Sequence, residues 1–139
     1  MKLIITSALM LFALMASTAW AETAVIVSNN NGNASMDQAT ISKIFLGKAK
    51  SFPNGSEAIP VDQNEGSAVR ENFNSVILDK SSSQLKAYWS RLIFTGKGTP
   101  PKESGGDADI VALVAANPNI IGYVDASAVT GDVKVVYTF

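Results

Sequence analysis

"VDQNEGSAVRENF", Val61 to Phe73, is the stretch on which the reading of the fold turns. It leads from the apolar run "AIPV" through a small polar turn into an amphipathic helix. The first N–H groups of that helix, around Gly66 to Val69, have no carbonyl partners along the chain. They sit at the positive end of a dipole that favours anions. Gly66 allows close backbone approach, Ser67 offers a hydroxyl, Gln63 an amide, and Arg70 a planar fork of donors. The turn also carries two acids, Asp62 and Glu65. Glu65 repels an anion, and can cap the helix in its place. Two readings stand: an oxyanion site at Gln63, Gly66, Ser67, Ala68, Val69 and Arg70, or a helix start capped by Glu65 or Ser67.

Strands and helices alternate on either side of this turn. "TAVIVSN" (Thr23–Asn29) is a β-branched run with strand character. A helix follows within "SMDQATISKIFLGK", with Ser35 and Gln38 at capping-box spacing and Gly47 placed to end it. Val69, Phe73, Val76 and Ile77 form the buried stripe expected of the helix running from Ser67 to about Leu78. "SSSQLKAYWSRLIFTGKG" holds a third helix, capped by Ser81, Ser82 or Ser83 and stopped at Gly96. Its apolar face is Leu85, Tyr88, Trp89, Leu92 and Ile93, and Tyr88, Trp89 and Phe94 are assigned to the core. "TPPKESGG" (Thr99–Gly106) is a loop. Asp107 or Asp109 caps a short helix that Asn117-Pro118 ends, and "IIGYV" and "VKVVYTF" are the last two strands. This order predicts a three-layer α/β domain with a mostly parallel or mixed sheet, whose ligand edge lies where strands give way to helices.

The composition removes several functions. The 139 residues contain no cysteine and no histidine. Disulfides, thiolate metal sites, cysteine nucleophiles and serine–histidine catalysis are excluded. The net charge is −1, with no basic block, so nucleic acid is not an expected partner. "TGKG" (Thr95–Gly98) lacks the frame of a phosphate loop. Asp107 and Asp109 are too few to cage calcium. No cofactor, no metal and no enzymatic activity are expected.

Residues 1–21 have the parts of a secretory signal peptide: Lys2, an apolar run from Leu3 to Ala16, and Ala19-Trp20-Ala21. The run is short for a membrane span. Cleavage after Ala21 would leave residues 22–139 as one soluble periplasmic domain, not inserted in the membrane. Without cysteine it is not a lipoprotein.

Three segments then point the same way. "ISKIFLGKAKSFPNG" (Ile41–Gly55), "VDQNEGSAVRENF" and "NPNIIGYVDASAV" (Asn117–Val129) resemble, in order and spacing, segments of the phosphate-type periplasmic solute-binding proteins of ABC importers. The second resembles their phosphate-contacting turn, commonly R-x-x-x-S-G-T. Ser67 falls on the motif serine and Phe73 keeps the helix anchor. Gln63 stands at the arginine, Ala68 at the glycine and Val69 at the threonine, while Phe52 replaces a tryptophan. The resemblance implies one lobe of a type II periplasmic binding protein-like fold over residues 22–139. It implies a small, phosphate-like oxyanion as ligand and an ABC importer or another envelope protein as partner. Family members close two lobes on their ligand, so a second copy in a homodimer could complete the cleft. The alternative is a lobe that has lost its ligand and serves as an interaction or structural component of an envelope assembly.

Overall fold

A computed structural model describes residues 22–139. The expected signal peptide, residues 1–21, lies outside the described residues. None of the described helices is long and apolar enough to cross a membrane.

The strand β1 (Thr23–Ser28) is buried along its whole length. It pairs antiparallel with β4 (Ile120–Asp125) on one side and with β5 (Val133–Thr138) on the other. Beyond β4 lies β2 (Ile59–Asp62), parallel to it, and β3 (Lys102–Glu103) closes that edge, parallel to β2. The sheet is therefore mixed, in the order β3-β2-β4-β1-β5.

Alternation along β1 sorts the core into two halves. Val25 and Val27 face one side, packed with Phe45, Phe73, Ile77, Leu85 and Tyr123. Ala24 and Ile26 face the other, packed with Ile110, Val111 and Val114. The first side belongs to α1 (Gln38–Phe45), α2 (Ala68–Val76) and α3 (Ser82–Phe94). The second belongs to α4 (Asp107–Ala116). A strand apolar on both faces needs cover on both, and the three-layer α/β architecture expected from the sequence follows. Gly122 lets α4 approach the sheet closely: a Cβ there would lie 2.6 Å from Ile110 Cγ2.

The ends of the helices are set locally. Ser81 and Gln84 form a reciprocal capping box at α3. Gly47 and Gly96, at φ of 72° and 68°, turn the chain out of α1 and α3. The cap of α1 is Asp37, whose carboxylate accepts from the Thr40 N–H, and not Ser35. Asp37 sits one residue before the helix, where its short acceptor reaches that free N–H, and Met36 packs into the core ahead of it. At α4 the N-cap is Gly106, with the Asp109 carboxylate accepting its N–H from inside the first turn.

Three other expectations are corrected. The loop Thr99–Gly106 contains β3, whose two residues pair with Val61 and Asp62. Val76 is 41% exposed, because α2 ends there and the chain turns away from the sheet. At the far end of α3, beyond the reach of the sheet, Ile93 is 54% and Phe94 92% exposed. The expected core aromatics thus divide: Tyr88 and Trp89 pack against the core, and Phe94 stands outside it.

Candidate functional site

The turn after β2 lies where the sequence places it, with β2 below and α2 above. Ser67 is the N-cap of α2, its hydroxyl oxygen accepting from the Arg70 N–H at 3.2 Å. The same hydroxyl donates to Gln63 Oε1 at 2.6 Å. Gly66 has φ of 89°, a left-handed conformation that glycine adopts without strain. The Ala68 and Val69 N–H groups, in the first turn of α2, have no acceptor among the described residues. Gln63, Ser67 and Arg70 are thus brought together, with two free backbone donors beside them.

Gln63 is directed inward. Its Nε2 donates to Asp107 Oδ1 at 2.7 Å and to the Tyr123 carbonyl at 3.1 Å. A neutral amide can bridge a carboxylate, a hydroxyl and a carbonyl at once, because it carries both donors and an acceptor. Arg70 is also engaged. Its Nη1 donates to the Gln63 carbonyl at 2.9 Å and to Glu103 Oε1 at 2.5 Å. Its Nη2 lies 3.9 Å from Asp62 Oδ2. The strand pair β2–β3 sets this geometry, since Asp62 and Glu103 are direct neighbours in register. Glu65 leans away onto α3, where it meets Lys86 at 2.9 Å on the surface.

Below Arg70 the Tyr123 hydroxyl donates to Asp62 Oδ1 at 2.6 Å and accepts from the Gln63 N–H at 3.2 Å. Burial pushes the Asp62 carboxyl above its usual range, against the pull of Tyr123 and Arg70. Burial, with the Asp62 charge, raises the Tyr123 phenol as well. Burial works against the Arg70 charge, but Glu103 and Asp62 outweigh it, and its pKa stands above the ordinary value. One guanidinium, Arg70, therefore serves two carboxylates at this edge, Asp62 and Glu103.

A cleft of about 370 Å³ opens next to the turn, between α2, α3 and β3. Phe45, Leu78, Leu85 and Trp89 contribute its apolar surface. Arg70 and Lys86 stand on its rim with Asp62, Glu65 and Glu103. Asn74, 2% exposed, lines the cleft, and its carboxamide makes no hydrogen bond to the described residues. Among the described residues no group of three or more acidic side chains could hold a metal ion.

Glu103, Asp107, Lys86 and Tyr123 join this site from outside the turn. Glu103 and Lys86 carry no local signal. Tyr123 lies inside one of the three family-like segments, Asn117–Val129, and that segment is its only sequence signal.

Solved structures share this arrangement of strands and helices. A phosphate ABC transporter substrate-binding protein from Clostridium perfringens, solved with bound phosphate, superposes at a TM-score of 0.67 with 24% identity, over 84% of this chain and 45% of that one. The fold is that of a part of this phosphate-transport binding protein. An ABC-type phosphate transport receptor from Vibrio cholerae follows at a TM-score of 0.65 and 16% identity, over 84% of this chain and 46% of that one. PstS from Borrelia burgdorferi gives 0.61 and 10%, over 84% and 47%. The match thus spans a little under half the length of each of these proteins. The first two are described as a substrate-binding protein and a transport receptor. No family model and no curated protein matches the sequence.

Proposed function

We propose that this chain is a periplasmic solute-binding module of the phosphate-receptor type, taking a small oxyanion at the start of α2 for an ABC importer. The observation that carries the reading is the pair of free N–H groups on Ala68 and Val69, next to the Ser67 hydroxyl. Gly66 keeps the approach open, with nothing within 4 Å of where its Cβ would be. The helix dipole adds its field to these donors. To bind, Ser67 would turn its proton from Gln63 to the ligand.

Binding of this kind is weak and weakly selective. Gln63 cannot supply the charge-assisted bond of an arginine, which contributes about 1.5–3 kcal/mol. Arg70 is already held by Glu103 and Asp62. That same occupation favours a second reading, a lobe retained as an interaction component of an envelope assembly.

Thermal unfolding with phosphate, sulfate and chloride at equal ionic strength separates the two. A ligand at about a hundred times its dissociation constant adds roughly 2.7 kcal/mol to stability. The expected result is a shift with phosphate or sulfate over chloride that Ser67→Ala removes. Loss of the cap lowers the baseline of that variant by about 1 kcal/mol, so the anion-dependent difference is what counts. No anion-dependent shift at all leaves the second reading in place.

A further inference from the structure

The most exposed large apolar side chain among the described residues is Phe94, at 92%. It ends α3, directly after Ile93, which lines the cleft. Phe94 itself does not line that cleft. The chain therefore carries, side by side on one helix, a protruding ring and an open cavity with an apolar floor. An aromatic side chain buries about 150–250 Å² when it is fully covered. Leaving a ring of that size in water is a cost that a matching pocket removes.

Charge points to the same pairing. Arg91 and Lys97 flank Phe94 in the sequence, and neither forms an ion pair among the described residues. The cleft rim has three acids, Asp62, Glu65 and Glu103, against two cations, Arg70 and Lys86. Two cations close to Phe94 in the sequence thus meet a cleft whose lining has one acid in excess. The Asn74 carboxamide at the cleft offers a donor and an acceptor to the backbone that comes in with the ring.

We propose that this face is a homodimer interface in which Phe94 of each copy enters the cleft of the other. Plug and socket lie next to each other on α3, so one two-fold axis near the end of that helix can satisfy both contacts. The plug, Phe94, does not use the Ala68 and Val69 donors, whereas the rim of the socket shares Asp62, Arg70 and Glu103 with the turn that would hold an anion.

Sedimentation velocity of the purified protein over a concentration series tests this. The protein is expected to sediment as a reversible dimer. Phe94→Ser removes the plug, and Ser90→Trp fills the cleft, which Ser90 lines. Both side chains are exposed, so both variants are expected to keep the thermal midpoint of the parent at low concentration. Each variant should raise the dimer dissociation constant by about a hundredfold, the behaviour of a central aromatic anchor. A parent that stays monomeric up to about 1 mM overturns the proposal. So does a Phe94→Ser dimer as strong as the parent, or a Ser90→Trp variant that still dimerises while Phe94→Ser does not. Growth into open chains instead of a closed dimer overturns the two-fold arrangement.

Discussion

Tyr123 and Asp62 are joined by a 2.6 Å hydrogen bond that ties the central strand β4 to the end of β2, beneath Arg70. The Tyr123 ring is fully buried and stacks on Phe73 of α2 with centroids 4.0 Å apart. One side chain therefore anchors the helix that starts at the candidate site and also holds a buried carboxylate. Replacing Tyr123 with Phe keeps the stack and deletes the hydroxyl. Asp62 then loses its best donor and the Gln63 N–H loses its acceptor. The expected cost is about 1–3 kcal/mol at neutral pH, from leaving buried polar groups unmade. Urea denaturation of Tyr123→Phe beside the parent checks it. A loss within error would mean that Arg70 alone satisfies Asp62.

Asp62 gives the fold a pH dependence of definite sign. Its carboxyl is raised above the ordinary value, chiefly by burial. The folded state therefore holds this proton more tightly than the unfolded chain does. The stability this provides is fully present below the unfolded value, near pH 3.9, and is lost as pH rises through the folded one. Asp62→Asn removes the titration. The variant should gain stability relative to the parent between acid and neutral pH, when unfolding is measured at both. An equal or growing deficit at neutral pH would show that the Arg70 and Tyr123 bonds outweigh burial.

Gly122 tests the close contact between α4 and the sheet. A Cβ there would meet Ile110 Cγ2 at 2.6 Å, Val61 Cγ2 at 3.3 Å and Val114 Cγ2 at 3.4 Å. Gly122→Ala forces Ile110 to shift and crowds Val61, an overpacking that costs about 1–3 kcal/mol. Gly106→Ala is the matched control, since nothing lies within 4 Å of its added Cβ. Chemical denaturation should separate the two variants clearly, and similar midpoints would mean that α4 moves freely on the sheet.

These tests concern features of unequal legibility. The three layers could be read because the β-branched run of β1 and the apolar spacing within the helices depend on neighbouring residues alone. The Ser67 cap and the Phe73 anchor could be read for the same reason. The role of Gln63 could not, because its partners Asp107 and Tyr123 lie 44 and 60 residues away. Nor could β3, since two residues become a strand only when β2 is beside them. The exposure of Ile93 and Phe94 was hidden differently. Apolar spacing marks the face of a helix, but not the point at which the covering layer ends.

The Glu103–Arg70 pair sets what the turn can hold. Glu103 Oε1 takes Arg70 Nη1 at 2.5 Å, and it does so from the exposed edge strand β3. The Glu103 side chain is half exposed, so its loss opens no core cavity. Glu103→Gln keeps the shape and removes the charge. Arg70 then retains Asp62 at 3.9 Å and the Gln63 carbonyl, but its fork gains a free direction toward solvent. With one carboxylate fewer, the field around the Ala68 and Val69 donors becomes more favourable to an anion. A charge-assisted bond contributes about 1.5–3 kcal/mol, so the sulfate or phosphate affinity should rise by roughly tenfold or more. Calorimetric titration of the parent and of Glu103→Gln with the same anion measures the ratio. If Arg70→Ala in the Glu103→Gln background returns the affinity to that of the parent, the gain came from Arg70. If affinity is unchanged in Glu103→Gln, Arg70 does not reach the anion, and the backbone donors with Ser67 are all that the turn can offer.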